Sequence, residues 1–369
     1  MWRTGLMLTA LTAAVPAHAE DAKPAWHGVW QGTIGALPVQ VCLDKGGGDW
    51  KHGVYFYLSR KKPISLDHES DGSWSERAGS GGKESGRWVL AASPNGDLRG
   101  QWQNGSRILP IALTRTGGKE GQEDACTSRA FIAPLVQAVK TITKRKARER
   151  FIYSELIYDV GSNFSDVSIS GFSYAPTQPG DKAINAALRL DPFKSVGDAD
   201  YLSCFQGSFG SLGTSGDFHF SNGPSMATRD YLVVSKSAGG FCGGAHPYHD
   251  SFYITYDRQS GKEVKLEKWL AIPLPSSFQE EGSAASAKRT ERLKALIMKH
   301  FTFDGSECRG DVESAFSWQL GLTRTGLIFT PSLPHVAAAC IDDAHVTFAE
   351  LAPFLSPAGR AGVARLKRK

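Results

Sequence analysis

The residues best suited to chemistry lie between positions 242 and 266. His246, His249 and Asp250 offer two imidazoles and a carboxylate, which are groups that bind zinc. The histidines are three positions apart across Pro247, in a segment with no helical pattern, so they need not converge on one ion. A turn with local hydrogen bonds, or a surface for a partner, fits better, and we predict no metal and no cofactor. The predicted binding residues are Gly243, Gly244, His246, Tyr248, His249 and Asp250.

A second polar group contains Asp342, Asp343 and His345. Paired carboxylates perform the acid–base steps of glycoside hydrolysis, but neighbouring side chains on one strand point to opposite faces. An exposed loop is the better interpretation. The motifs of serine hydrolases, zinc proteases and nucleotide-binding loops are absent from the sequence. No catalytic residue is predicted, and a binding protein is favoured over an enzyme. The alternative is a hydrolase whose site joins His246, Asp250 and Asp342.

The first 19 residues predict export. Arg3 precedes an apolar run from position 5 to 15, and Ala17-His18-Ala19 follows it, which is the pattern of a signal peptide cleaved after Ala19. The run is far shorter than the about 20 apolar residues of a membrane anchor. We therefore expect a periplasmic or secreted protein without a transmembrane segment. The net charge of +5 is too small to indicate binding of nucleic acid.

Six cysteines in an exported chain predict disulfides, because that compartment is oxidising. No two of them have the close spacing of zinc-binding cysteines. The sequence does not fix the connectivity. Proximity and domain layout favour Cys42–Cys126, Cys204–Cys242 and Cys308–Cys340.

Residues 24–116 read as a small all-β domain. Short runs alternate with turn residues, which predicts a meander that forms a barrel or a sandwich. Asn104-Gly105 is the strongest short hairpin pattern in the chain. Tryptophans here could stack on glycans, but filling of the core is the favoured role. They are Trp26, Trp30, Trp50, Trp74, Trp88 and Trp102.

Residues 128–358, after a linker at 117–127, mix helices and strands without a regular βαβ alternation. This predicts an α+β domain with antiparallel sheets and packed helices. An apolar stripe from Ile132 to Ile142 predicts a helix. The basic cluster at 144–150 is interpreted as a solvated helix end, and a weak attraction to anionic envelope polymers or an acidic partner is the alternative. Further predicted elements are strands at 151–160, 167–174 and 348–355, a hairpin at 251–266 that turns at Ser260-Gly261, a helix at 284–301, and a loose basic tail at 359–369.

The 242–266 segment carries a resemblance. Gly243-Gly244-Ala245-His246-Pro247 precedes its strand, and Asp257 and Gly261-Lys262 lie in its turn. The segment resembles the extracellular domain shared by RsiV-type anti-sigma factors and PdaC-type peptidoglycan deacetylases, and the likeness covers roughly residues 128–358. Residues 24–116 resemble no family that we can name.

The resemblance implies an α+β envelope domain of non-enzymatic character. In RsiV-type proteins this domain binds lysozyme, and in PdaC-type proteins it accompanies a separate deacetylase domain. The sequence has neither a transmembrane pattern nor deacetylase metal motifs. We therefore expect a periplasmic binding protein that recognises a lysozyme-like protein or a cell-wall glycan. The alternatives are an envelope hydrolase or deacetylase-type enzyme, and a structural module that docks through its tryptophan-rich domain.

Overall fold

The computed structural model describes residues 25–45, 51–77, 83–117, 125–137, 139–164, 166–190, 218–240, 247–275, 284–302 and 307–368. The predicted signal peptide, Trp50, the Cys204–Cys242 pair, and Gly243, Gly244 and His246 lie outside these residues. The described part of the chain is mostly β, with one closed antiparallel barrel, two further sheets and a few helices, and it is compatible with the α+β class. None of its helices is long and apolar enough to cross a bilayer.

The first eight strands form the closed barrel, in which each strand pairs with the next and β1 also pairs with β8. The predicted hairpin after Asn104 is confirmed, because β7 pairs with β8 across the two turn residues Gly105 and Ser106, and Gly105 has a positive φ of 57°. That these strands form a separate domain stays a prediction. The strands are β1 (Gly28–Ile34), β2 (Leu37–Lys45), β3 (Lys51–Tyr57), β4 (Ile64–His68), β5 (Trp74–Arg77), β6 (Glu84–Ala92), β7 (Leu98–Asn104) and β8 (Arg107–Gly117).

The barrel interior is filled by side chains. Trp30, Trp74 and Trp88 are at most 1% exposed, so these indoles pack in the core instead of offering a platform to solvent. The interior also holds one carboxylate, Glu76, which is 6% exposed. It accepts hydrogen bonds from four side chains: Tyr55 (2.7 Å), Trp102 (2.7 Å), Trp88 (3.3 Å) and Ser85 (2.8 Å).

A six-stranded sheet follows, in the order β14-β13-β12-β11-β10-β9. Its neighbours are antiparallel except for the parallel pair β11 and β12. Two short helices pack near it. The elements are α1 (Arg129–Val136), β9 (Lys140–Arg148), β10 (Phe151–Asp159), β11 (Val167–Ser173), α2 (Asp181–Leu188), β12 (Phe218–Ala227), β13 (Tyr231–Gly240) and β14 (Tyr248–Asp257).

Helix α1 packs between the barrel and this sheet. Its buried Phe131 and Leu135 share one apolar cluster with Phe56 of the barrel and with Ile169 and Phe218 of the sheet. A disulfide between Cys42 and Cys126 closes the same region, as predicted. The outer surface of the barrel and the sheet therefore share this apolar cluster, which is distinct from the cluster that fills the barrel interior.

The last third of the chain adds a three-stranded antiparallel sheet and four helices around a separate apolar cluster. The predicted Cys308–Cys340 disulfide is confirmed here. The elements are α3 (Ala284–Lys299), α4 (Glu307–Glu313), β15 (Ser317–Leu322), β16 (Gly326–Ser332), β17 (Ala344–Thr347), α5 (Phe348–Leu351) and α6 (Pro357–Leu366).

The predicted helix through Ile142 is wrong. Helix α1 ends at Val136, and residues 140–148 form strand β9, which pairs with β10 over nine residues. The β-branched residues Thr141, Ile142 and Thr143 favour a strand. The basic cluster at 144–150 is therefore an exposed edge strand and its turn, and not a helix end.

The predicted hairpin at 251–266 is half correct. Its first arm is β14, and Gly261 takes a positive φ of 75° in the predicted turn. The second arm makes only one bridge, from Glu263 to Tyr256, whereas β14 pairs with β13 over ten residues. A helical turn at Leu266–Trp269 follows.

Two C-terminal predictions are also wrong. Residues 348–351 are helical and not a strand, because Thr347 and Glu350 form a reciprocal capping box. Residues 357–366 form α6 and are not a loose tail. Helix α6 starts at an N-cap, Ser356, and its Gly362 packs against the ring of Trp269.

Candidate functional site

The three predicted binding residues that the structure describes lie at the start of β14. Tyr248, His249 and Asp250 pair with residues 238–240 of β13. Alternation along the strand places His249 on the face opposite to the other two. The His249 ring contacts the His219 ring at 5.5 Å between centroids. Burial, and then the charge of Asp250, raise the pKa of Tyr248. Within the described ranges, no three His, Cys, Asp or Glu side chains converge in a geometry that could hold a metal ion.

The second predicted cluster joins strands of the C-terminal sheet to each other and to β14. Asp343 accepts hydrogen bonds from the hydroxyls of Tyr253 (3.0 Å) and Thr330. Burial, and then Asp343, raise the pKa of Tyr253 to about 12. The His345 ring lies 2.9 Å from the Thr323 hydroxyl. These contacts connect Asp343 to β14 and β16, so its carboxylate is already engaged within the fold.

A groove of about 1200 Å³ lies around the turn between β9 and β10. Both faces of β10 contribute to it, since Phe151 and Tyr153 alternate with Ile152 and Ser154 along the strand. Six arginines line the groove, and Glu149 is the one carboxylate among the described residues that do so. The arginines are Arg145, Arg150, Arg229, Arg258, Arg324 and Arg368.

Arg258 forms the floor of the groove and is almost completely buried. Its guanidinium makes a bidentate pair with Asp181, at 2.9 Å and 2.7 Å. It also donates to the carbonyl of Thr228 (2.7 Å) and the hydroxyl of Thr177 (2.8 Å). These four hydrogen bonds engage the guanidinium within the fold without a bound ligand. Arg258 is therefore part of the frame of the groove.

The charge state of Asp181 follows from these contacts. Burial alone would raise the pKa of Asp181, but hydrogen bonds from Arg258 and from the backbone N–H groups of Thr177 and Gln178 outweigh it. The pKa of Asp181 is therefore lower than its ordinary value. Burial, and then the Asp181 charge, raise the pKa of Tyr174, whose hydroxyl donates to the same carboxylate at 3.2 Å.

The turn that carries the family resemblance positions Arg258. Gly180, just before α2, donates its N–H to the Arg258 carbonyl at 2.8 Å. A Cβ on Gly180 would lie 2.2 Å from the Gly261 nitrogen, so only glycine permits this close approach. The Asp257 side chain accepts from the backbone of Gln259 and Ser260, which holds the turn. The turn at residues 257–262 thus places Arg258 beside Asp181.

Four groove arginines are exposed and have no side-chain partner among the described residues. Arg145, Arg150, Arg229 and Arg368 make no side-chain hydrogen bond or ion pair with any residue that the structure describes. Exposed guanidinium groups that converge on one groove produce a positive potential. Their planar forks match carboxylate and phosphate oxygens.

Aromatic rings also line the groove, on the face of β10 opposite to the one that Arg145 shares with Ser154. Phe151 and Tyr153 are stacked, with centroids 6.2 Å apart and an interplanar angle of 22°, and both are half-buried. Tyr174 packs behind Phe151 at 5.0 Å. Such rings present apolar faces to which planar or saccharide surfaces bind.

The mouth of the groove is crossed by an ion pair. Arg324, in the turn between β15 and β16, donates to the carboxylate of Glu149, in the turn between β9 and β10. Arg324 also donates to the carbonyl of Ala227 at 3.2 Å. The pair thus links the three-stranded sheet to the end of the six-stranded sheet.

The sequence alone does not reveal this groove. The basic cluster at 144–150 is its one visible sign, and Arg145 and Arg150 come from that cluster. Arg229, Arg258 and Arg324 are scattered along the sequence, and only the fold brings them together. The predicted residues at 248–250 do not line the groove.

Comparison with known proteins adds distant structural neighbours. No protein-family model matches the sequence, and no curated protein matches it. A DUF3298 family protein from Pseudomonas aeruginosa PAO1 aligns with 60% of this chain and 97% of its own, at 14% identity and a TM-score of 0.36. A DUF3298 member from Bacteroides fragilis NCTC 9343 aligns with 63% and 98%, at 13% identity and a TM-score of 0.37. At these scores the neighbours carry no conclusion about fold or activity, and the resemblance to RsiV-type and PdaC-type proteins stays a prediction.

Proposed function

We propose that this protein is an exported binding protein that holds an anionic ligand of the cell envelope, such as an acidic glycan, in the arginine-lined groove. The observation that carries the proposal is the set of groove arginines without side-chain partners among the described residues, which are Arg145, Arg150, Arg229 and Arg368. The half-buried Phe151 and Tyr153, which line the groove on the other face of β10 from Arg145, offer stacking faces. The resemblance of the 242–266 segment to an envelope binding domain supports the same setting.

The groove favours binding over hydrolysis. A glycoside hydrolase needs two carboxyl groups on either side of the bond that it cleaves, and Glu149 is the single carboxylate in the described lining. The groove also favours an acidic ligand over a lysozyme-like protein with a basic surface, because like charges would meet there. A lysozyme-like partner would have to use another surface.

Calorimetric titration tests the proposal with oligogalacturonate as an acidic glycan and chitooligosaccharide as a neutral one. We expect the acidic probe to bind, with an affinity that falls as salt is added. The triple variant Arg145→Gln, Arg150→Gln, Arg229→Gln should lose about tenfold or more in affinity, which corresponds to about 1.4 kcal/mol.

The matched control removes the same charge elsewhere. Lys288, Arg292 and Lys299 are exposed on α3, outside the groove, and their triple change to glutamine should leave affinity unchanged. If the two triple variants lose affinity equally, net charge alone accounts for the binding and the groove does not. Binding of lysozyme in place of both glycans would contradict the ligand class.

A further inference from the structure

Glu149 is the acidic exception in a basic groove. It follows the basic residues of β9, and its backbone takes a positive φ of 53° at the hairpin turn. Its carboxylate does not bind the adjacent Arg150, but Arg324 from another sheet. The Glu149 carboxylate thus binds the Arg324 guanidinium, which lines the groove.

The Glu149–Arg324 contact is open to solvent. The side chain of Arg324 is 49% exposed and that of Glu149 is 65% exposed. Ion pairs with this exposure contribute little to stability, because water and salt screen them. A second anion can therefore replace the Glu149 carboxylate without disrupting the fold. The Ala227 carbonyl, which accepts from the same guanidinium, keeps Arg324 in place during such an exchange.

We propose that Arg324 is an anion subsite of the groove, and that Glu149 fills this subsite until a carboxylate or phosphate of the ligand replaces it. The inference rests on the proposed function and assigns one contact within it. A neutral saccharide has no group that competes with Glu149, so it leaves the pair closed. An anionic ligand gains Arg324 only after it displaces an internal competitor, which selects for ligands with a charged group at this position.

The variant Glu149→Gln tests the subsite, because it removes the competitor and keeps every arginine. We expect the affinity for oligogalacturonate to rise about two- to tenfold, because the variant frees Arg324 from an exposed ion pair and removes a negative charge near the ligand. The same titration with linear polyphosphate shows whether the subsite prefers carboxylate or phosphate. The variant Arg324→Gln should weaken binding, and more strongly in the Glu149→Gln background, where Arg324 is available from the start.

Glu313→Gln is the matched control. Glu313 is an exposed carboxylate on α4 that pairs with Arg309 at 3.3 Å, so its change alters net charge and an ion pair equally but outside the groove. Unchanged or weaker binding by Glu149→Gln, while the wild-type protein binds, overturns the subsite and leaves the proposed function standing. No binding of either anionic probe by the wild type or by Glu149→Gln overturns both.

Discussion

The barrel and the six-stranded sheet differ in whether their polar side chains have hydrogen-bond partners. The barrel closes on itself, and its interior carboxylate, Glu76, meets four donors. The sheet stays open, and every residue of its edge strand β9 is exposed. A closed barrel has no unpaired edge strand, and the polar side chains in its interior bond to one another. The open edge leaves arginines without partners among the described residues, and these are the groups that can bind a ligand.

The largest effect should come from the disulfide where the two regions meet. Cys42 and Cys126 are 84 positions apart, and the chain-entropy model gives about 4–5 kcal/mol for such a loop. Cys42→Ala with Cys126→Ala should therefore lower the free energy of unfolding more than Cys308→Ala with Cys340→Ala, whose loop spans 32 positions. Urea unfolding of both double variants measures the difference. A greater loss of unfolding free energy in the variant without Cys308–Cys340 would show that loop length does not determine how much each disulfide stabilises the fold.

The next effect lies under the groove. Asp181→Asn should lower the free energy of unfolding by about 3–5 kcal/mol, because it leaves Arg258 buried without its partner. The control is Glu291→Gln, an exposed change on α3, which should stay within about 0.5 kcal/mol.

This loss should depend on pH. Since the pKa of Asp181 is lowered in the folded protein, its stabilisation is fully present above the unfolded value of about 3.9 and disappears as the pH falls through the folded value. The difference in unfolding midpoint between wild type and Asp181→Asn should therefore shrink in acid. A constant difference would mean that Asp181 contributes shape and not charge.

The barrel should tolerate loss of its buried charge better. Glu76→Gln keeps one oxygen for Tyr55, Trp88 and Trp102, and the Ser85 hydroxyl can accept from the new amide NH2 group instead of donating. Charged acceptors make stronger hydrogen bonds than neutral ones, and we expect a loss of about 1–2 kcal/mol in thermal or urea unfolding. Glu76→Leu is the informative contrast, because it removes the side-chain acceptor of all four donors. If Gln and Leu destabilise equally, the hydrogen bonds are not what holds this carboxylate.

The sequence predicts what local patterns determine. The hairpin at Asn104-Gly105 forms because glycine at the first turn position, Gly105, readily takes the positive φ that a two-residue turn needs. Strands β10 and β11, helix α3, and the disulfides Cys42–Cys126 and Cys308–Cys340 were likewise within reach. Strand β9 was not, because its apolar residues continue the helical spacing of α1 and only pairing with β10 decides its form.

The groove is harder to predict for a geometric reason. Glu149 and Arg324 are 175 positions apart and meet only because two sheets pack together. Arg258 looks like an ordinary turn residue until Asp181 is placed beside it, 77 positions away in sequence. No spacing rule along the chain encodes such contacts. The local motif at 257–262 could reveal the turn, but not what the turn supports.

The smallest effect sharpens the contrast between edge and barrel. Lys144 and Lys146 lie on one face of exposed β9, next to the groove but outside its lining. Changing both to threonine, which favours strands, should alter the free energy of unfolding by less than about 0.5 kcal/mol. At low salt the affinity for oligogalacturonate should still fall about two- to threefold, and this loss should vanish near 1 M salt, where the screening length is about 3 Å. The same change at Lys62 and Lys83, exposed in the barrel, should have no effect on binding. Equal losses from both pairs would mean that net charge attracts the ligand, and that the open edge has no special part in capturing it.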